Sequence, residues 1–171
     1  MKTNIMLCGF MGCGKTTVGI KLAKKLGYDF VDSDKYIEEK CGMSVSNIFE
    51  IHGEQHFRDL EHKACRELSK RHNTVVSTGG GALTFDRNLQ AIRENSCIIL
   101  LDVPLYVLKL RLSGNTSRPL LNGGDRDTAM QTLFDVRMPL YEKAMDIKVD
   151  AAAPPTIVAD RIISLLETYC E

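Results

Sequence analysis

The sequence predicts an α/β protein in three layers, α/β/α, around a five-stranded parallel sheet. Three observations carry this prediction. Short apolar runs alternate with longer amphipathic stretches along the whole chain. Strands separated by helices need crossover connections, and these make neighbouring strands parallel, with helices on both faces. The 171 residues suffice for one sizeable core and are too few for two, so 1–171 reads as a single domain.

Each element follows in order. Ile5-Met6-Leu7-Cys8 has the composition of a buried strand. Lys15 to Leu26 reads as a helix, with Val18, Leu22 and Leu26 at helical spacing and Gly27 as the stop signal. Phe30-Val31 is a short second strand, followed by a charged helical segment from Lys35. Glu54 to His72 is expected to form a longer helix with Phe57, Leu60, Ala64 and Leu68 on one face. Thr74-Val75-Val76-Ser77 is the third strand, running into Gly79-Gly80-Gly81, and Cys97 to Leu101 is the fourth. Pro104 is placed to start a helix ending near Leu112. Residues 113–125, rich in Gly, Asn, Ser, Arg and Pro, read as an exposed loop. A helix from about Asp127 to Met145, a weak strand at Ile147–Val149 and a terminal helix introduced by Pro154-Pro155 complete the chain. No internal repeat or low-complexity tract interrupts this order.

Bulk properties narrow the function. The 22 basic and 22 acidic residues cancel, whereas nucleic-acid binders usually carry a basic excess, so nucleic acid is not an expected partner. The apolar run Cys97–Leu101 is far too short to span a bilayer, and the apolar residues Ile5-Met6-Leu7 are interrupted by glycines and Lys15 before a signal-peptide core is complete. No membrane partner is expected. The six cysteines, Cys8, Cys13, Cys41, Cys65, Cys97 and Cys170, are scattered without metal-ligand spacing. That is the usage of a reducing compartment and a cytoplasmic protein. With no association stripe, a monomer is the expectation.

The sharpest signal is Gly9-Phe10-Met11-Gly12-Cys13-Gly14-Lys15-Thr16, which fits G-x-x-x-x-G-K-[ST] at every fixed position. It lies between a strand and a helix, as the chemistry requires. Glycines let the backbone turn several N–H groups toward phosphates, and the following helix aims its positive end at the same point. Gly12, Cys13, Gly14, Lys15, Thr16 and Thr17 are therefore candidate ATP contacts. Lys15 supplies a cation to the β- and γ-phosphates, and the Thr16 hydroxyl is a hard oxygen donor suited to magnesium. If the Cys13 thiol is accessible, oxidation or alkylation should weaken nucleotide binding.

Other residues gain meaning beside that loop. In extended chain Asp32 and Asp34 face the same way, so both carboxylates can enter one cleft, Asp32 to support magnesium through water and Asp34 to meet a substrate hydroxyl. The plainer reading is a helix-capping turn. Arg58 and Glu61 are three apart on one helix face and read either as a surface ion pair or as an arginine free to grip a carboxylate. Gly79, Gly80 and Gly81 suggest backbone lying against a ligand, with a flexible turn as the alternative. Arg118, within the long 113–125 segment, is placed to close over the phosphates as part of a lid. Arg111 and Arg137 flank that segment and read equally as surface charge.

Together these motifs resemble the shikimate kinase family. The match runs in order through the Gly9 loop to Thr17, Asp32-Ser33-Asp34, Phe49, Gly53-Glu54, Phe57-Arg58, Ser77 to Ala82, Arg118 to Leu121 and Arg137 to Tyr141. It covers nearly the whole chain. The resemblance implies a P-loop kinase fold with strand order 2-3-1-4-5, a substrate-binding segment at about 33–61 and a lid at about 113–125. It implies transfer of phosphate from ATP, with magnesium, to the 3-hydroxyl of shikimate, on the route to chorismate and the aromatic amino acids. By matching position, Lys15, Asp34 and Arg118 are implied as catalytic, and Arg58 and Arg137 as the grip on the shikimate carboxylate beside Gly79, Gly80 and Gly81. Thr16 and Asp32 would serve the metal, and Arg111 would lie by the adenine. The chain departs from the pattern at Asp150 to Pro155, which is small and apolar where some members place a polar adenine contact. Competing readings are another small P-loop kinase, such as a gluconate or nucleoside monophosphate kinase, and a non-catalytic nucleotide sensor. A GTP switch would need an N-K-x-D sequence that is not present.

Overall fold

A computed structural model describes residues 2–113 and 126–169. Five parallel strands, β1 (Asn4–Cys8), β2 (Asp29–Asp32), β3 (Thr74–Ser77), β4 (Ser96–Asp102) and β5 (Ile147–Asp150), form one sheet in the order β2-β3-β1-β4-β5. The described helices are α1 (Lys15–Leu26), α2 (Ser33–Cys41), α3 (Val45–Leu68), α4 (Asp86–Ile92), α5 (Leu105–Leu112), α6 (Arg126–Ala144) and α7 (Pro155–Tyr169). The predicted fold class and strand order are both present.

The sheet's burial explains the strand sequences. β1 lies between β3 and β4, and every one of its residues is buried, as are nearly all of β4. Strands covered on both faces read as continuous apolar runs, hence Ile5-Met6-Leu7-Cys8 and Cys97 to Leu101. β5 is an edge strand and alternates buried and exposed residues, which is why its sequence signal is weak. Its exposed Lys148 pairs with Glu142 at 2.8 Å and Asp102 at 3.3 Å, a charge that discourages pairing with another chain.

Two apolar clusters result. The larger surrounds the sheet and includes Leu7, Leu22, Val76, Ile98, Leu101, Leu108 and Ile162. The smaller joins α2 and α3 through Ile37, Ile48, Phe57 and Ala64, with Phe49 packed against it.

In its helices and connections the structure differs from the sequence reading in three places. The long helix was expected from Glu54; α3 begins at Val45 instead, capped by the Ser44 hydroxyl accepting from Asn47 N–H at 3.2 Å. Gly53, at φ 80° and ψ 171°, breaks the helical path midway and hid the first half from periodicity. At its other end α3 stops at Leu68, not His72, because residues up to Asn73 (φ 51°) turn the chain into β3. The third difference is a short 3-10 turn, Ala82–Thr84, and α4, which fill what the sequence left as connection. At seven residues α4 spans only two turns, too few for a periodic signal. Among the described residues no helix is long and apolar enough to cross a membrane.

Candidate active site

Parallel sheets place ligands at the carboxyl ends of their strands. Here those ends deliver the Gly9–Gly14 loop after β1, Asp32 at the end of β2, and Ser77 to Gly81 after β3, with α3 and α6 closing the far side. They enclose a cleft of about 470 Å³ lined by residues of all these segments.

The loop takes its shape from glycines. Gly9, Gly12 and Gly14 have φ of 141°, 81° and 98°, where side chains are disfavoured. Lys15 opens α1 and folds its ammonium onto the loop, donating to Gly9 O at 2.8 Å and Phe10 O at 3.3 Å. Thr16 and Thr17 line the cleft beside it. Cys13 does not line the cleft: it is buried, its Sγ lies 3.8 Å from Lys15 Nζ, and its N–H donates to Phe10 O. Accessibility, on which its sensitivity to oxidation was conditional, is therefore absent.

Asp32 and Asp34 both line the cleft, by a different geometry from the extended one predicted. Asp32 caps α2, its Oδ1 accepting from Asp34 N–H at 3.1 Å and Lys35 N–H at 3.3 Å. Its Oδ2 accepts from the Thr16 hydroxyl at 2.9 Å, and Ser77 Oγ lies 3.4 Å from Thr16 Oγ1. Between the two aspartates, Ser33 is buried and accepts from Gly79 N–H at 2.9 Å, tying α2 to the end of β3. Asp34 sits in the first turn of α2, and its Oδ1 is buried with no hydrogen-bond partner among the described residues. Burial chiefly, and then the neighbouring Asp32 charge, raise its pKa above the usual carboxylate range, with Lys15 pulling the other way.

The triple glycine has a steric reason. A Cβ on Gly79 would lie 2.6 Å from Asp34 Oδ1, and one on Gly81 would lie 2.8 Å from an Arg58 terminal nitrogen. One on Gly80 would lie 3.3 Å from Arg137. Each glycine thus leaves room for a different charged side chain. Gly80 O also accepts from the Tyr141 hydroxyl, and Tyr141 is four residues after Arg137 on the same face of α6.

Arg58 is mostly buried and its partners fix it. It donates to Glu54 Oε1 at 3.1 and 3.2 Å, and to both oxygens of Glu61 at 3.1 and 3.2 Å. The expected i,i+3 pair forms, but it is not on the surface: the Glu61 side chain is 2% exposed. Desolvation raises the Glu61 pKa to about 7 against the opposing pull of Arg58. The sequence did carry a signal for this burial, because Glu61 lies on the same stripe as Phe57, Ala64, Cys65 and Leu68. Arg111 bridges the loop to the segment after β5, donating to Gly12 O at 3.3 Å and Ala151 O at 3.3 Å. Arg118 lies outside the described residues.

The structure therefore brings Lys15, Thr16, Asp32, Asp34, Arg58, Arg137 and the three glycines into one cleft. Sequence reasoning passed over the buried role of Glu61, and over Ser33 and Tyr141, which hold backbone at the cleft through single hydrogen bonds. Thr16 and Asp32 offer hard oxygen atoms side by side, a donor set that fits magnesium. Among the described residues no group of three or more His, Cys, Asp or Glu side chains is arranged to hold a metal, so waters and phosphate oxygens would complete the shell of a magnesium ion here.

The comparisons agree with this geometry. A family model for shikimate kinase matches residues 11–167. A shikimate kinase of Caldicellulosiruptor bescii is 40% identical over 95% of this chain and 94% of its own. One from Thermodesulfovibrio yellowstonii is 42% identical over 96% of this chain and 95% of its own. The solved structure of the Acinetobacter baumannii shikimate kinase in complex with shikimate superposes with a TM-score of 0.92, at 34% identity, covering 98% of this chain and 94% of that one. On the family match and these identities, the chain belongs to the shikimate kinase family.

Proposed function

We propose that this chain phosphorylates the 3-hydroxyl of shikimate with ATP, giving shikimate 3-phosphate and ADP, and that the residues of the cleft divide that work between them. One observation carries the assignment of the acceptor side: Asp34 Oδ1 is buried without a hydrogen-bond partner among the described residues, in the cleft that Arg58, Arg137 and the phosphate loop also line. A buried acceptor atom without a donor is costly, and an acceptor hydroxyl would satisfy it. Arg58 and Arg137 suit the carboxylate of the same molecule, since guanidinium groups grip carboxylates with paired hydrogen bonds. The loop N–H groups and Lys15 hold the phosphates and stabilise the charge of the transferring group. Asp34 orients the hydroxyl and, with its raised pKa, is matched to take up the proton. In a loose transition state that proton leaves late, so orientation is the larger part of its role. Magnesium bound near Thr16 and Asp32 would neutralise phosphate charge. Arg118 enters this reading from the sequence alone, as does a lid at about 113–125. Arg111, bonded to the loop backbone, is assigned to the adenine by the family resemblance.

The reading includes a monomer working on small molecules in the cytoplasm as one domain, with 33–61 as the acceptor-binding segment. The smaller apolar cluster supports that segment as a unit, and the free thiols of the described cysteines suit a reducing compartment. Neither a gluconate-type kinase nor a nucleotide sensor is favoured, given the family match and a cleft that keeps Lys15 and Asp34. The test is ADP release by purified protein with ATP and magnesium, with shikimate, gluconate or no acceptor added. Release dependent on shikimate alone is expected. Equal release with gluconate, or none above background, would reassign the acceptor.

A further inference from the structure

We infer that Phe85 is a positioning residue for the acceptor carboxylate, acting through Arg58; this rests on the acceptor reading above. The ring centroid of Phe85 lies 5.0 Å from the Arg58 guanidinium carbon, nearer than that of Phe57 at 5.4 Å. The two rings differ in what else they do. Phe57 is buried in the apolar cluster of α2 and α3, and packs on Phe49 with centroids 4.6 Å apart. Phe85 belongs to neither apolar cluster and is 37% exposed.

Its place in the chain also argues against a packing role. Phe85 stands at the N-cap of α4, where Ser, Thr, Asp or Asn would accept an N–H bond, and no side-chain cap is made. Helix stability and solubility both disfavour phenylalanine there. The segment holding it is pinned from both sides. The Thr84 hydroxyl donates to Gly81 O at 2.7 Å, and buried Asn88 donates to Ala82 O at 2.8 Å while its Oδ1 lies 3.0 Å from His62 Nδ1 on α3. An aromatic ring fixed in this way sets the plane of Arg58 by cation–π attraction. Glu54 and Glu61 fix that guanidinium from its edges. The ring adds a further contact to the guanidinium without competing for hydrogen bonds owed to a carboxylate.

Steady-state kinetics of Phe85→Leu, Phe85→Ala and Phe85→Tyr test this, with shikimate and with its neutral carboxamide as acceptors. For the leucine and alanine variants, KM for shikimate should rise about 3- to 10-fold. Their kcat and KM for ATP should stay within about two-fold, and the tyrosine variant should restore the wild-type KM. With the carboxamide the wild-type and leucine proteins should differ little, because the effect passes through Arg58 to a charge that the amide lacks. Phe85→Leu keeps apolar bulk, so it reports even where the alanine variant fails to fold. A leucine variant with wild-type KM, or an equal loss with both acceptors, would overturn the inference alone. Wild-type protein that turns over no shikimate would overturn the acceptor reading, and this inference with it.

Discussion

The two halves of the cleft are built by opposite means. The half formed by Gly9–Gly14 and α1 is backbone: glycines in left-handed conformations, N–H groups at a helix start and one lysine lying over them. It rests on the large core of the central strands. The half formed by Asp34, Arg58 and Arg137 is side chain, drawn from α2, α3 and α6. Two of its three elements share the smaller cluster. A phosphate loop recognises a common group and can be written in eight consecutive residues. A site for one particular small molecule needs charges at defined separations, and only distant segments of chain can supply them. The two halves meet at the ends of β2 and β3, where Asp32 bonds Thr16 and Ser33 bonds Gly79.

Substitution can break this contrast at several points. The largest expected loss comes from Lys15→Ala, which removes the cation lying over the phosphate loop: kcat should fall about 10²- to 10³-fold with the acceptor KM little changed. A comparable fall in acceptor affinity would mean that the halves are not separable. Next is Gly79→Ala. Its Cβ would lie 2.6 Å from Asp34 Oδ1, so the carboxylate must move, and a displacement near an ångström can cost about 100-fold in kcat. Titration with ATP should show unchanged nucleotide affinity, since the atoms nearest that Cβ belong to Asp34 and Glu61 of the acceptor half. Arg58→Lys is expected to be milder, with kcat/KM for shikimate lowered about 10- to 100-fold through the loss of charge-assisted bonds. Lysine keeps the charge but not the fork. Full retention of kcat/KM would show that Arg58 contributes charge alone.

The same contrast explains what was legible. The strands of the sheet, α1 to the residue, and the phosphate loop could be read because their signals are contiguous: a run of buried residues, a 3.6-residue period, a fixed motif; the order of the strands came only from the family resemblance. On the acceptor side the residues could be nominated singly, but not their relations. Nothing in Gly79-Gly80-Gly81 says that each glycine makes room for a different charge from another element. The first half of α3 escaped because Gly53 interrupts its period, and α4 because seven residues hold too little of one. Phe85 read as no more than a residue of the connection, since only the fold sets it beside Arg58.

Glu61 sharpens the comparison in its own way, because it is a buried charge on the acceptor side with no counterpart in the loop half. Its pKa is raised from the ordinary value of 4.5 to about 7, by burial first and with Arg58 opposing. In the unfolded chain it loses its proton near 4.5, while the folded protein holds that proton until about pH 7. Between those values the folded state binds more protons than the unfolded one, so stability falls as pH rises, and the fall is complete above the folded value. Asp34, also raised, contributes with the same sign. Thermal melts at intervals from pH 5 to pH 8 should therefore show Tm declining by a few degrees, and Glu61→Gln, which cannot titrate, should flatten part of that slope. Glutamine is the neutral isostere of the protonated carboxyl, so the variant's Tm should lie near the wild-type value at pH 5, and near pH 8, where the wild type buries an anion, it should equal or exceed it. Parallel slopes in the two proteins would mean that Glu61 stays ionised across the range. Arg58 would then be held by a full negative charge at every pH, and its grip on a carboxylate would owe nothing to proton uptake beside it.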